Sequence, residues 1–539
     1  MAGEPSDATT IHAPAGMVAA SDHLASSAGL AILRDGGNAA DAAVAAGAVM
    51  AVTSPHMCGM GGDLFALVHR PGEPVAALCA AGRAGSGSDA MQLRMEGFES
   101  MPPTGDIRVV TVPGCVDGWL ELHRRYGHLP LAQVLEPAIT YAAAGFPASP
   151  LVAASAPDII HLHGAGDFRE PAMATGGRFE PGTMIRRPGI AANLDAIVAH
   201  GRAGFYQGAF GDGLLHLGHG LYSRGDLARV QADWVEPLRV QAWGHDLWTT
   251  PPPSQGYLTL AAAAVADGLG LPGEPDDPTW AHVLAEAARL VGLDRLRVLS
   301  EDADGAALLA PARLDERRAA IDQAHRSTWR PAVAATPRPA SLAEDTTALS
   351  AVDRDRMGVS LIQSNAAGWG ALIVEPNTGE FLHSRGIGFS LEPGHPAELQ
   401  PGRRPPHTLA PALVTRPDGS LRAALGTMGG DSQPQILLQV LARLLAAGAP
   451  AGEAVEAPRF TLGEGRFGTW AGDGPQRIAI EGAARELWAE GLEARGHTVA
   501  VSPVAPDHRF GHANAVAVVD GMLEGGADPR ALVGAAVGY

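Results

Sequence analysis

Apolar positions recur at helical spacing through residues 21–51, where Leu24, Ala28, Ala31 and Ile32 precede a break at Gly36-Gly37-Asn38 and a second, alanine-rich helix starts near Asp41. The small side chains of that second helix predict close packing against a sheet. It runs into the turn Gly59-Met60-Gly61-Gly62, after which residues 64–68 read as a buried strand. Residues 108–112 also read as a strand, turning at Pro113-Gly114 into a helix at 119–126, and further helices are predicted at 131–144, 190–200 and 279–299. Residues 325–345 break the pattern. They carry three prolines and several alanines with little periodicity, which predicts a mobile connector and the best boundary in the chain.

Beyond that boundary the texture changes to strands, at 348–352, 358–363, 371–374, 381–383 and 423–426. The last ends in Thr427-Met428-Gly429-Gly430-Asp431 and a helix at 433–447, on which Leu437, Val440, Leu441 and Leu444 form one apolar stripe. The strands cluster without a helix between each pair. Helices enclosing sheets therefore fit this order better than a parallel doubly wound fold.

A chain of 539 residues suits several domains or one large fold of paired halves. Hydrophobic residues make up 46% but aromatics only 5%, so the core is expected to be built from small aliphatic layers. A net charge of -19 opposes nucleic acid as a partner and is explained by solubility alone. There is no lysine, so all 39 basic residues are arginines, and P-loop, Schiff-base and Ser-Lys mechanisms are excluded. The three cysteines, Cys58, Cys79 and Cys115, lack metal-ligand spacing and are odd in number, which argues against a disulfide framework. Residues 1–13 lack the basic start and apolar core of a signal peptide, and the best apolar run, 42–52, is too short to span a bilayer. A soluble, cytoplasmic protein without a membrane partner is the expectation. The string G-x-G-x-x-G at 268–273 follows a helical rather than a strand pattern, and the histidine pairs His161/His163 and His216/His219 have no third ligand at metal spacing.

One arrangement points to nucleophilic catalysis. If the bond between Asp345 and Thr346 is cut, Thr346 gains a free α-amine beside its own hydroxyl, and an amine with a pKa near ~8 can act as the base for that hydroxyl. Eighteen residues on stands Ser364. Farther along, Gly429-Gly430 before a helix offers paired backbone N–H groups suited to an oxyanion, with Asp431 also a natural helix cap.

With these residues in view the sequence resembles the γ-glutamyltransferase family of N-terminal-nucleophile hydrolases over nearly the whole chain. The matching stretches are 28–33, 36–44, 59–65, 112–114, 251–254, 457–460 and 528–539. The resemblance implies an α+β fold, a four-layer αββα sandwich, and self-cleavage into segments 1–345 and 346–539 that stay associated as a heterodimer. It implies a small-molecule amide substrate and no metal or cofactor. Residue by residue it makes Thr346 the nucleophile, Ser364 the hydroxyl that contacts the new amine, and Gly429 and Gly430 the oxyanion pair. His407 and Thr408 replace two serines that bind a glutamyl α-carboxylate.

The departures bear on substrate. The family's acid that grips the glutamate α-amine falls on Gly388, its asparagine partner falls on Ala366 with Asn365 one position off, and Arg83 lies two residues from the expected substrate arginine. Local strings around 359–364, 384–390 and 429–434 resemble instead the γ-glutamyltransferase-like branch that includes oxamate amidohydrolase and cephalosporin-acylase-like members. There Arg385 is a candidate to hold a substrate carboxylate as a bidentate donor. The expectation is a self-processing amidohydrolase that cleaves or transfers the acyl group of a γ-glutamyl or other carboxylate-bearing amide; the alternative is an uncleaved, inert binding or structural relative.

Overall fold

The computed structural model describes residues 10–330, 344–463, 476–503 and 507–539. Two seven-stranded sheets stack at its centre. In the first, the order is Ala535–Gly538, Met17–Ala20, Glu344–Val352, Gly358–Ala367, Asp63–His69, Ala76–Ala80 and Asp233–Val235, every pair antiparallel. In the second it is Ile11–Ala13, Met522–Ala527, Ala513–Val519, Leu421–Thr427, Ala412–Thr415, His245–Thr249 and Leu238–Ala242, again antiparallel throughout.

Alternation along each strand decides what lies on either side. In Gly358–Ala367, Val359 and Leu361 join the core shared with the helices His23–Arg34, Ala39–Thr53 and Cys115–Tyr126, while Ile362 packs with Phe65, Cys79, Ala348 and Leu409 between the sheets. The Ser360 hydroxyl faces inward as well and donates to the Leu425 carbonyl at 2.8 Å, a bond that crosses from sheet to sheet. On the far side, Tyr257–Leu269, Pro278–Gly292 and Gln433–Leu445 cover the second sheet. The result is the four-layer αββα sandwich. Both sheets mix strands from either side of Thr346: Met17–Ala20 lies between Ala535–Gly538 and Glu344–Val352, Gly358–Ala367 pairs with Asp63–His69, Ile11–Ala13 with Met522–Ala527, and Ala412–Thr415 with His245–Thr249, so backbone hydrogen bonds tie the two segments at these seams.

The helix Ala39–Thr53 is buried at all fifteen positions, which explains its lack of an amphipathic stripe: it is covered all round. Among the described residues no helix is long and apolar enough to cross a membrane.

Several predicted elements differ in the structure. Residues 108–112 join no sheet; Ile107–Val109 is a 3-10 turn, fixed by Asp106, which accepts from both the backbone and the guanidinium of Arg108. The helix at 279–299 is two helices, Pro278–Gly292 and Arg295–Val298, parted where Asp294 turns aside to bind Arg313 and Arg317. The strands at 371–374 and 381–383 reduce to a ribbon of Val374–Glu375 with Glu380–Phe381 outside the main sheets. Of the predicted connector, residues 331–343 lie outside the described residues. Its described ends are pinned: Ser327 N–H donates to Glu286 at 2.8 Å, and Glu344 and Asp345 already pair with Ala367 and Ala366.

Candidate active site

A bulge builds the site. Asp345 pairs with Ala366 and Thr347 with Gln363, so two residues, Ser364 and Asn365, stand opposite the single Thr346. Ala366 takes up the slack with φ of 73°, a left-handed conformation costly for alanine, and its N–H donates to Ser364 Oγ at 2.8 Å. The glycine turn before Asp63 supports this bulge from outside. A Cβ on Gly62 would come within 2.4 Å of the Ser364 carbonyl, so only glycine lets the two backbones meet.

The bulge brings Thr346 and Ser364 together. Thr346 Oγ1 donates to Ser364 Oγ at 3.1 Å, and Ser364 Oγ donates to the carbonyl oxygen of Asp345 at 2.8 Å. One hydroxyl thus links the candidate nucleophile to the carbonyl of the peptide bond that precedes it. Arg385 reaches the same hydroxyl through Nη2 at 3.2 Å and donates through Nη1 to Thr408 Oγ1 at 2.9 Å. Thr346, Ser364, Arg385 and Thr408 are all buried.

Behind this cluster lies Asp63, which the sequence reading carried only as part of a matching stretch. Its Oδ1 accepts from Gly82 N–H (2.8 Å) and Gly114 N–H (3.1 Å), and its Oδ2 meets His407 Nε2 at 3.0 Å and His383 Nδ1 at 3.5 Å. Burial alone would raise the Asp63 pKa, but His383, His407 and Arg385 outweigh it and hold the carboxyl at about 2. Burial, then the Arg385 charge, pushes His407 down to about 3, so its ring is a neutral donor to Asp63 while Nδ1 accepts from Leu409 N–H at 3.3 Å. Both His407 nitrogens are therefore engaged inside the protein. Asp63 grips the residue two before Arg385 and the residue before Thr408, and so fixes the two backbones that present them.

Gly429 and Gly430 follow the strand Leu421–Thr427 with φ of 137° and 51°, conformations that suit glycine, and lead into the helix Gln433–Leu445. The turn packs against Glu344–Val352. Its position is set by Gln255, whose side-chain amide donates to Gly430 O at 2.8 Å and Thr408 O at 3.0 Å, and by Arg295, paired with Asp431 at 3.0 Å. Neither was singled out from sequence; the proline run ending at Ser254, just before Gln255, was the available signal. Arg83 sits in another group of charges, bound to Glu301 at 2.5 Å, to Asp233 at 3.3 Å and to the Gly402 carbonyl at 3.3 Å.

A family model described as gamma-glutamyltranspeptidase matches residues 25–538. The chain is 35% identical to the oxamate amidohydrolase proenzyme of Klebsiella pneumoniae, over 97% of its own length and 98% of the relative's. It is 34% identical to the glutathione hydrolase-like YwrD proenzyme of Bacillus subtilis, over 97% of this chain and 98% of that one. Among solved structures, cephalosporin acylase from Bacillus halodurans matches with a TM-score of 0.87 at 31% identity, covering 100% of this chain and 98% of that chain. The fold, the ordered matching stretches and these similarities agree: the chain belongs to the gamma-glutamyltranspeptidase family of amide hydrolases and acyltransferases.

Proposed function

We propose that the protein is a self-processing N-terminal-threonine amidohydrolase acting on amides that carry a carboxylate. The observation that carries this reading is the Ser364 hydroxyl set between Thr346 Oγ1 (3.1 Å) and the Asp345 carbonyl (2.8 Å). In maturation, Thr346 Oγ attacks the Asp345 carbonyl carbon, which Ser364 polarises. The C–N bond breaks, the nitrogen takes the hydroxyl proton and becomes the free α-amine, and an ester remains that water resolves to the Asp345 carboxylate and the Thr346 hydroxyl.

In turnover the α-amine takes the Thr346 proton, the oxygen attacks the substrate amide, and the N–H groups of Gly429 and Gly430 hold the oxyanion. The proton passes to the leaving amine, and water or an acceptor amine releases the acyl group. The interleaved strands keep segments 1–345 and 346–539 together after the cut.

Arg385 with Thr408 anchors the substrate carboxylate. Because Arg385 shares Ser364 with Thr346, the anchor lies two hydrogen bonds from the nucleophile, which favours acyl groups whose carboxylate is few bonds from the scissile carbonyl. The relative named oxamate amidohydrolase is in keeping with this. A γ-glutamyl donor is the second reading, supported by the family and by the relative named glutathione hydrolase-like. Against it, a Cβ on Gly388 would lie 2.6 Å from the Pro406 carbonyl, leaving no room for an acid to pair the glutamyl ammonium.

The test is a denaturing gel with N-terminal sequencing, followed by mass spectrometry after incubation with a mixed amide library. Two fragments, the second starting Thr-Thr-Ala-Leu and transiently acylated at Thr346, are expected. A persistent single chain of about 55 kDa that binds no acyl group would support the inert alternative.

A further inference from the structure

Next to the cluster assigned to the chemistry is a group of buried polar atoms that the chemistry does not use. His56 and His512 are buried, and neither ring nitrogen of either has a hydrogen-bond partner among the described residues; the same holds for Asn365 Oδ1 and Trp369 Nε1. Buried side-chain polar atoms are normally paired. Such a concentration marks a place whose partners the chain itself does not supply.

Asn365 stands opposite Thr346 in the bulge, and the register of the two sheets brings His512 toward the same end of the strand Glu344–Val352. Leu421 abuts Gly358, and the position of Gly426 abuts Ala348, so the strand Leu421–Thr427 advances toward the bulge. Gly426 pairs with Asn514, whose amide donates across the sheets to the Ala348 carbonyl at 2.9 Å. Just past the ends of these strands the pairing continues in Met428 N–H donating to His512 O at 3.3 Å, and the turn that follows packs against Glu344–Val352, the strand that holds Thr346. From the glycine-turn side, Met57 packs on Met428 and its carbonyl accepts from Asn365 N–H at 3.0 Å. The His56 carbonyl accepts from Trp369 N–H at 2.9 Å, and the two rings lie 5.9 Å apart.

Burial, and after it the neighbouring His512 and His508, pushes His56 down to about 3; burial foremost brings His512 to about 4, against the pull of Asp528 and with the help of His508, Arg459 and Arg530. At neutral pH each ring is uncharged and offers one N–H and one lone pair. The fixed charges nearest His512 are Arg459 and Arg530, already paired with Asp528 at 2.7 and 2.9 Å, so a charged group entering among the histidines would lose its hydration for counter-charges that are engaged elsewhere. An amide or ureido group has donors and acceptors in one plane and meets both halves of each ring, while Met57, Met428 and Trp369 supply polarizable surface around it.

We propose that His56 and His512 form a recognition pocket for an uncharged amide or ureido group of the substrate, beside Thr346 and separate from the carboxylate anchor. The proposal deepens the amidohydrolase reading and rests on it for the role of Thr346. Isothermal titration of the purified full chain with N-carbamoylglycine, 4-methylpentanoate and glutarate compares a ureido, an apolar and an anionic group carried on similar carboxylates.

N-carbamoylglycine should bind at least about ten-fold tighter than either other acid, as two or more neutral hydrogen bonds imply. That advantage should fall to about two-fold or less in His56→Phe and His512→Phe, and return in part in His512→Gln. If a Phe variant does not fold, histidine-labelled wild-type NMR serves instead: imidazole signals must shift with N-carbamoylglycine and stay still with 4-methylpentanoate. No preference in the wild type, or a preference that survives in folded Phe variants, overturns the pocket and leaves an internal hydration site. A single unprocessed chain that still shows the preference and loses it in the Phe variants counts against self-processing while the pocket stands.

Discussion

Arg83 and Arg385 were both candidates for binding substrate, and their surroundings differ in kind. The Arg83 guanidinium is met by two carboxylates, Glu301 and Asp233. Arg385 bonds two hydroxyls, Thr408 and Ser364, and Ser364 is also the partner of Thr346. The two carboxylates on Arg83 hold loops together, whereas the Arg385 bonds to Thr408 and Ser364 lie on the hydrogen-bond line of Thr346, with the Asp63 carboxylate close enough for the Arg385 charge to lower its pKa. The buried histidines divide in the same way. His407 is held by Asp63 and Leu409 and His383 by the Thr111 carbonyl, with Asp63 3.5 Å from its other nitrogen, whereas neither nitrogen of His56 or His512 has a hydrogen-bond partner among the described residues.

Substitutions on the reacting side should stop chemistry without unfolding the protein, and those on the holding side should do the reverse. The largest effect is expected from Thr346→Ala: self-cleavage on a gel and amide hydrolysis both vanish, a loss of roughly 10³-fold or more, with circular dichroism unchanged. Cleavage that persists in this variant ends the assignment.

Arg385→Gln should weaken kcat/KM for carboxylate-bearing amides by about 30- to 5000-fold, as expected for a buried charge pair worth about 2 to 5 kcal/mol. Arg83→Gln should change the same constant by no more than about three-fold, within the range of an ordinary partly exposed ion pair. Equal effects in steady-state kinetics would erase the distinction between the two arginines.

Asp63→Asn belongs to the holding side. It should lower stability in urea titration by about 3 to 5 kcal/mol, because the carboxylate that Gly82, Gly114 and His407 are aimed at is gone. A variant of unchanged stability would move Asp63 out of the framework.

A smaller effect tests the support beneath the glycine turn. Glu380 is buried with Gly61 N–H donating to it at 3.0 Å, and burial above all raises its pKa to about 7. A carboxyl raised in the folded state binds more protons there than in the unfolded chain, so stability should fall as pH rises between about 4.5 and 7. The contribution is roughly 3 kcal/mol, and Glu380→Gln should remove it. Urea midpoints at pH 5 and 8 that move identically in both proteins would show that Glu380 does not carry this dependence.

The reacting side was more legible in the sequence than the holding side. Thr346, Ser364 and the Gly429-Gly430 turn became candidates through the resemblance to the γ-glutamyltransferase family, which attaches roles to a threonine, a serine and a glycine pair that are ordinary as local strings. Asp63 carried no such mark, since one acid at the start of a strand is ordinary until the histidine 344 residues away is seen to meet it. His56 and His512 gave no periodic or spacing signal at all. Arg83 and Arg385 could not be told apart, because carboxylate neighbours of an arginine come from remote loops.

By itself the sequence determined many of the helices and strands, among them Leu131–Ala144, Asp63–His69, Gly358–Ala367 and Gln433–Leu445, because side-chain periodicity is a local property of the backbone, but not the elements at 108–112, 371–374 and 381–383. It also determined where a cut would create a new amine beside a hydroxyl. Tertiary structure alone decided that Thr346 stands opposite two residues rather than one, that Ser364 thereby reaches the Asp345 carbonyl, and which charges Arg83, Arg385 and Asp63 face. Those outcomes depend on strand register and on how closely two sheets approach, quantities set by the packing of the whole chain and carried by no single segment of it.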